Sequence, residues 1–185
     1  MASEGVRTWS WWRLLPWGIA AVLLLLPAVA MRFTDEVKWD LADFLIIGTL
    51  LAMVCGAIEL AARTTTNGFY RAGVCLAVVT TFLLFWINAA VGMIGDENNP
   101  ANLMYAGVLL VAFAGALIAR FRPTGMARAF FATAGAQGLV ALIALIAGLG
   151  ASEPPGPVGI LILNGFFVAL WVLAGGLFFQ AARDA

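Results

Sequence analysis

Residues 101–149, ANLMYAGVLLVAFAGALIARFRPTGMARAFFATAGAQGLVALIALIAGL, consist of two long apolar runs separated by a short segment with three arginines. The runs cover residues 101–119 and 129–149, and about 20 helical residues cross a bilayer core roughly 30 Å thick. Because no water is present in that core to satisfy backbone amides, apolar runs of this length are predicted to be helical. The stretch therefore predicts a transmembrane helical hairpin.

Four further apolar runs of similar length flank this hairpin. Six transmembrane helices are thus predicted, at residues 14–31, 41–62, 72–94, 101–119, 129–149 and 158–180. The chain is 63% hydrophobic and 11% charged, whereas soluble globular proteins have about 45–50% apolar and 25% charged residues. The dyad alternation of outer-membrane barrels is absent. We predict that residues 1–185 form a single integral membrane domain, an all-α polytopic helix bundle.

Basic residues are distributed unevenly between the predicted loops. One set of alternate gaps and ends holds eight of the ten, Arg7, Arg13, Arg63, Arg71, Arg120, Arg122, Arg128 and Arg183. The opposite set holds only Arg32 and Lys38. Acidic residues show the reverse bias and precede or begin the second, fourth and sixth helices, at Asp35, Glu36, Asp40, Asp43, Asp96, Glu97 and Glu153. The positive-inside rule and the helix dipole both predict cytoplasmic N- and C-termini.

The first predicted span has two interpretations. It is a membrane anchor, or its pattern is that of a signal peptide, with Arg7 and Arg13 before an apolar stretch and Pro27-Ala28-Val29-Ala30 after it. Cleavage after Ala30 would leave five spans without changing the remaining topology. We favour an anchor, because the apolar run continues to Met31.

A shift of 57 residues brings two segments of the chain into register. Residues 60–72 lie over residues 117–129 with six of thirteen positions identical, including Arg63 over Arg120 and Gly68 over Gly125. The same shift places Asp96 over Glu153. This pattern predicts a tandem repeat of helical hairpins, although chance identity between arginine-flanked hairpins is the alternative. Repeats bring binding sites together in transporters, but they also build structural bundles.

The loop at residues 95–102, Gly-Asp-Glu-Asn-Asn-Pro-Ala-Asn, is the densest polar cluster. Asn99 followed by Pro100 is typical of the N-cap and first residue of a helix. Asp96, Glu97 and Asn98 offer oxygen ligands for a cation, but the spacing of an EF-hand is absent. A helix start with a solvated turn is therefore the favoured interpretation.

Three strings in the chain carry a resemblance to known proteins. They are Phe33-Thr34-Asp35-Glu36-Val37, the eleven residues from Gly95 to Tyr105, and the eleven residues from Ala119 to Ala129. With them the chain resembles a widespread family of small, uncharacterised bacterial inner-membrane proteins over about residues 14–148. The resemblance implies a bacterial inner membrane and supplies no activity and no site residues.

Few side chains are suited to catalysis. The chain has no histidine, one lysine, and serines only outside the predicted spans. Histidine-ligated haem, zinc in an H-E-x-x-H motif and Ser–His catalysis are therefore excluded from this chain alone. No Walker loop or dinucleotide fingerprint is present. We expect no enzyme activity, no cofactor and no metal. Because the net charge is zero, no nucleic-acid partner is implied, and the arginines are expected to contact anionic lipids.

Polar residues within the predicted spans are the candidate functional positions, namely Glu59, Asn88, Gln137 and Asn164, together with Thr80, Thr81 and Thr133. Amides and carboxylates inside a bilayer suggest function by default. Interhelical hydrogen bonds that stabilise the bundle, worth about 0.6 kcal/mol each, are the favoured alternative. Glu59 precedes Arg63 by one turn, so an ion pair at the membrane edge is predicted for it.

Small residues recur along the second helix at Gly48, Ala52 and Gly56. This spacing lets another helix approach closely, either within the bundle or from a second subunit. The sequence thus predicts a non-catalytic structural, accessory or partner-binding membrane protein. Its partners are the lipid bilayer and either another membrane protein or a second copy of the chain. The alternative is a small-solute or ion transporter or channel that uses Asn88, Gln137 and Asn164.

Overall fold

Six α-helices make up most of the structure, a computed structural model that describes residues 14–34 and 36–184. They are α1 Leu15–Ala30, α2 Leu41–Thr64, α3 Gly68–Val91, α4 Met104–Ile118, α5 Pro123–Ile146 and α6 Gly156–Arg183. A 3-10 helix, Pro100–Leu103, leads directly into α4. No β-strand occurs in the two described ranges, and this agrees with the predicted all-α class.

Five of the helical segments are long and apolar enough to cross a membrane. They are α2, α3, α5, α6 and the continuous segment Pro100–Ile118, with mean hydropathies of 2.0 to 2.2. A multi-pass helical membrane protein is therefore supported. The first helix, α1, is apolar but has only 16 residues, a length of about 24 Å against a core of roughly 30 Å. Arg7 and Arg13, predicted to flank it, lie outside the described residues.

Several helices extend beyond the predicted spans, because hydropathy marks the lipid core rather than the end of the helix. The helix α5 begins at Pro123 instead of residue 129, and α6 continues to Arg183 instead of residue 180. Proline is favoured at the first helical position, since its missing N–H would have no partner there. Arg128 is thus part of α5 and not of the loop before it.

The chain divides into two units, and the first ends at Glu59 within α2. In this unit, Asp40 and Asp43 begin α2 with reciprocal hydrogen bonds. The amide of Asp43 donates to Asp40 Oδ1 at 3.0 Å, and the amide of Asp40 donates to Asp43 Oδ2 at 2.9 Å. This is the geometry of a capping box. The acidic residues predicted at this helix start therefore have a structural role.

For the other two helices, the predicted acidic residues precede the helix and do not enter its first turn. Neither α4, with the 3-10 helix before it, nor α6 has an acidic residue in its first turn. Asp96, Glu97 and Glu153 lie in the preceding loops instead, because the polypeptide turns there before the helices begin. A direct helix-dipole effect therefore applies to Asp43 of α2 and not to these three.

Gly48, Ala52 and Gly56 form a stripe of small residues on α2, and one of its glycines contacts another helix. A Cβ atom added to Gly48 would lie 3.5 Å from Leu24 of α1, an ordinary packing distance. A Cβ atom at Gly56 would meet no described atom within 4 Å, and Ala52 is exposed. Within the first unit, Gly48 thus lies against Leu24 of α1, whereas Gly56 has open space beside it.

The second unit contains α3 to α6, which follow the spatial order α3, α6, α5, α4. The helix α6 packs against both α3 and α5, and α5 also packs against α4. Buried aromatic rings fill the centre. Phe130 of α5 stacks on Trp171 and on Phe178 of α6, with centroid distances of 5.7 and 5.4 Å. In a bilayer such packing, rather than a hydrophobic effect, holds helices together.

The two turns that the predicted repeat would make equivalent have different structures. The first is closed by Asn67, whose side chain caps α3 by accepting from the amide of Tyr70 at 2.9 Å. In the second, Arg120 and Phe121 both have positive φ angles, 50° and 57°, and Arg122 caps α5 without a side-chain bond. The tandem repeat stays a prediction based on sequence identity.

Candidate functional site

Three polar side chains from three helices meet in the core of the second unit, namely Tyr105 of α4, Gln137 of α5 and Asn164 of α6. Gln137 Nε2 donates to Asn164 Oδ1 at 2.8 Å, and the Tyr105 hydroxyl donates to the same oxygen at 3.2 Å. Asn164 Nδ2 donates to the Tyr105 oxygen at 3.0 Å and to the carbonyl oxygen of Ile160 at 2.9 Å. We call Tyr105, Gln137 and Asn164 the polar triad.

Asn164 is the centre of the polar triad. An asparagine side chain has two N–H donors and an oxygen that accepts two bonds, and each of these positions has a partner here. The exposed fractions of Tyr105, Gln137 and Asn164 are 1%, 0% and 1%. Buried polar groups without partners are costly, especially where no water can replace them. The polar triad therefore links α4, α5 and α6 through one fully bonded amide.

Two other polar atoms in the same core lack partners among the described residues. Gln137 Oε1 is a buried acceptor without a donor, and Trp171 Nε1 is a buried donor without an acceptor. A buried unpaired polar atom calls for an explanation, such as strain or a bound molecule. The polar triad can therefore offer one neutral hydrogen-bond acceptor to a small polar solute. It contains no carboxylate, thiol or amine for covalent or acid–base chemistry.

The structure brings together two of the four candidate positions from the sequence. Gln137 and Asn164 bond directly. Asn88 bonds elsewhere, with Nδ2 donating to the carbonyl oxygen of Asn102 at 3.3 Å and Oδ1 buried without a described partner. Glu59 belongs to the first unit, where it is half-buried near the end of α2. A single pathway through Asn88, Gln137 and Asn164 therefore has contact support only for its last two members.

The three threonines among the polar positions bond within their own helices. The hydroxyl groups of Thr80, Thr81 and Thr133 donate to the carbonyl oxygens of Leu76, Ala77 and Ala129, four residues earlier, at 2.7 to 2.9 Å. The prediction that these residues form interhelical hydrogen bonds is therefore wrong. The physical reason is that a threonine hydroxyl in an apolar core reaches the preceding turn of its own helix more easily than a neighbouring helix.

The sequence analysis missed Tyr105 as a member of the polar triad. Tyr105 is the only residue of α4 with a polar side chain. It lies in the first turn of that helix, next to the polar loop, so the sequence alone does not separate it from that loop. A hydroxyl group isolated in an otherwise apolar helix is the signal that could have identified it, because such a group needs a partner inside the bundle.

Asn102 was also missed, and it organises the loop between α3 and α4. Its Oδ1 accepts from the amides of Met93 and Ile94, both at 3.0 Å, and its Nδ2 donates to the carbonyl oxygen of Asp96 at 2.7 Å. Gly92, at φ 72°, permits this turn, since a Cβ atom there would collide with the Asp96 carbonyl group. The exposed fraction of Asn102 is 5%. Its role is structural, and it holds the start of the next helix in place.

The cation site considered for this loop gains no support from its geometry. Asp96 Oδ1 accepts from the amide of Asn98 at 2.9 Å, and Asn99 caps the 3-10 helix by accepting from the amide of Ala101 at 3.0 Å. The predicted N-cap at Asn99 with Pro100 after it is thus confirmed. Within the described residues no group of three or more His, Cys, Asp or Glu side chains is placed to hold a metal ion.

Comparison of the chain with protein-family models, curated proteins and solved structures gives no match. The roles assigned to the polar triad and to Asn102 therefore rest on the geometry described above. The resemblance to small bacterial inner-membrane proteins stays a prediction from the three sequence strings.

Proposed function

We propose that the chain is a non-catalytic, multi-pass protein of the bacterial inner membrane with a structural, accessory or partner-binding role. The observation that carries this proposal is the hydrogen bonding of the polar triad. Its central amide is saturated by groups of the same chain, and the three side chains are buried. A polar cluster that uses its hydrogen bonds to join helices stabilises a bundle and leaves few groups for a substrate.

A small-solute or ion transporter is the second candidate, and one observation favours it. Gln137 Oε1 and Trp171 Nε1 offer an acceptor and a donor in the same buried core. Polar groups that line a path through a membrane protein are commonly amides and hydroxyls near the middle of the bundle. The first proposal is preferred, because the contacts of Asn88 separate it from the other two members of the suggested path.

Permeability of reconstituted vesicles distinguishes the two candidates. We expect vesicles containing the full chain to release potassium and glycerol no faster than protein-free vesicles, because the polar triad is closed by its own hydrogen bonds. The matched variant is Gln137→Leu, which removes the unpaired acceptor. If the vesicles release solute faster than the background, and Gln137→Leu removes this extra release, the structural role is contradicted and transport is established.

Affinity purification from native membranes is the second test of the accessory role. It should recover a stoichiometric membrane-protein partner rather than the chain alone.

The proposed orientation has six spans and cytoplasmic termini, and it rests on the arginine distribution. In a cysteine-free background, single cysteines at the exposed positions Asn98 and Ser152 should react with an impermeant thiol reagent added to intact cells. Cysteines at the exposed positions Thr66 and Thr124 should react only after the membrane is opened. The reverse labelling pattern would show that the orientation is wrong. Equal labelling of all four would show that the α3–α4 and α4–α5 connections do not lie on opposite sides.

A further inference from the structure

The turn between α4 and α5 borders a groove of about 620 Å³, separate from the polar triad. Its lining includes two arginines and a threonine together with small and apolar residues: Arg122, Arg128, Thr124, Gly115, Ile118 and Ala129. The segment Pro100–Ile118, which contains α4, and the helix α5 are each long and apolar enough to cross a membrane. The groove therefore lies where the end of the bundle meets lipid headgroups.

The groove has a positive charge that the rest of the described chain does not neutralise. Arg122 and Arg128 are exposed, and neither guanidinium forms a hydrogen bond or an ion pair with a residue in 14–34 or 36–184. The chain has no aspartate or glutamate between Glu97 and Glu153. Two unpaired arginines on one groove are complementary to an anion, and guanidinium groups match phosphate oxygens especially well.

The corresponding arginine of the other hairpin has a different role. Arg71 occupies the position that the 57-residue shift places over Arg128. Arg71 Nε donates to the carbonyl oxygen of Thr65 and Nη2 to that of Ala62, both at 2.7 Å, so its charge closes the end of α2. A structural arginine at a helix end thus has a recognisable pattern of contacts in this protein. Arg128 lacks that pattern within residues 14–34 and 36–184, so its charge is available to an anion.

Exposed apolar side chains lie on α4 and in the turn, and Ile118 among them lines the groove. The exposed fractions of Leu117 and Ile118 are 49% and 83%, and that of Phe121 in the turn is 56%. Beneath the groove, α4 and α5 touch closely, since a Cβ atom on Gly115 would lie 2.7 Å from that of Ala129. The groove therefore combines a cationic end with small residues and the exposed apolar side chain of Ile118. That combination fits a molecule with one acidic head and a hydrocarbon tail.

We propose that this groove binds an anionic phospholipid, with its headgroup phosphate on Arg122, Arg128 and Thr124 and an acyl chain along Ile118. Basic pockets between helices at a membrane surface are suited to acidic headgroups. Free inorganic phosphate shares the headgroup chemistry, but it has no hydrocarbon chain that could contact Ile118. The lipid therefore accounts for both halves of the groove. Lipid binding at this groove does not depend on whether the protein is an accessory subunit or a transporter.

Lipid titration of the purified full chain in detergent, followed by native mass spectrometry, tests the site. The probes are phosphatidylglycerol and phosphatidylcholine with the same acyl chains. We expect preferential retention of phosphatidylglycerol, and Arg122→Gln/Arg128→Gln should weaken its binding by about 25-fold, since each arginine contributes about fivefold. The matched control is Arg120→Gln/Arg183→Gln, which removes two charges from the same end of the bundle without changing the groove. We expect it to weaken binding less than twofold.

Three results would overturn the proposal. Equal weakening in the two double variants would mean that general surface charge attracts the lipid. An unchanged affinity in Arg122→Gln/Arg128→Gln would mean that phosphatidylglycerol binds elsewhere. Displacement of phosphatidylglycerol by inorganic phosphate at a similar concentration would identify a phosphate site without a lipid role. A matching unfolding midpoint of the two double variants checks that both are folded, and we expect this because neither guanidinium of the groove bonds within the described chain.

Discussion

Asn164→Leu should lower the free energy of unfolding by about 2–4 kcal/mol, although it exchanges a polar side chain for an apolar one of similar size in an apolar core. The substitution removes the partner of Gln137 Nε2 and of the Tyr105 hydroxyl, both of which stay buried. Losing three interhelical bonds at about 0.6 kcal/mol each sets the lower value. The two buried donors left without a partner, at about 2 kcal/mol each, set the upper one. Unfolding of the full chain in bicelles or mixed micelles measures the change.

The triple variant Tyr105→Phe/Gln137→Leu/Asn164→Leu is the control for this prediction. It removes every member of the polar triad, so no buried donor or acceptor of the triad is left unpaired. Replacing both sides of a buried polar contact with apolar groups can be nearly neutral. We therefore expect the triple variant to be more stable than Asn164→Leu alone. A triple variant that is less stable than the single one would show that the individual bonds, rather than unpaired groups, determine the loss.

Much of the fold could be predicted because a bilayer restricts what a chain can do. Apolar runs of about 20 residues have to form helices in lipid, and local signals such as Asn99-Pro100 mark where a helix begins. The limits of the helices were less predictable. At α5, the first six residues include Arg128 and still belong to the helix, because a helix does not stop where the hydrocarbon does.

The bilayer also made part of the candidate site predictable. An amide side chain in an apolar helix is unusual, so Gln137 and Asn164 can each be identified from the sequence without knowledge of their neighbours. Their contact depends on α6 lying between α3 and α5, and hydropathy carries no information on the order of helices. Tyr105 and Asn102 were missed because both lie in or beside the polar loop at residues 95–102, where a polar side chain is expected. A search for isolated hydroxyls and amides would find the groups, but not their pairing.

Trp171→Ala should be strongly destabilising, by about 3 kcal/mol, whereas Trp171→Phe should cost less than about 1.5 kcal/mol. The side chain of Trp171 is fully buried and stacks on Phe130 with an interplanar angle of 18°. Truncation to alanine leaves a cavity, and such losses reach about 3–5 kcal/mol in soluble proteins. The lower end applies in a bilayer, because the unfolded helix keeps the indole in an apolar medium and mainly the packing contacts are lost.

Phenylalanine at position 171 retains a ring against Phe130 and removes an N–H that has no partner among the described residues. The lost packing of the smaller ring is therefore offset by relief of an unpaired buried donor, which costs about 1–3 kcal/mol. Phe179→Ala is the matched control on the same helix, because the Phe179 ring is 52% exposed and faces away from the core. It should change stability by less than about 1 kcal/mol. If Trp171→Phe is as destabilising as Trp171→Ala, the indole N–H does have a partner, and a polar solute or water bound at Trp171 Nε1 becomes the explanation.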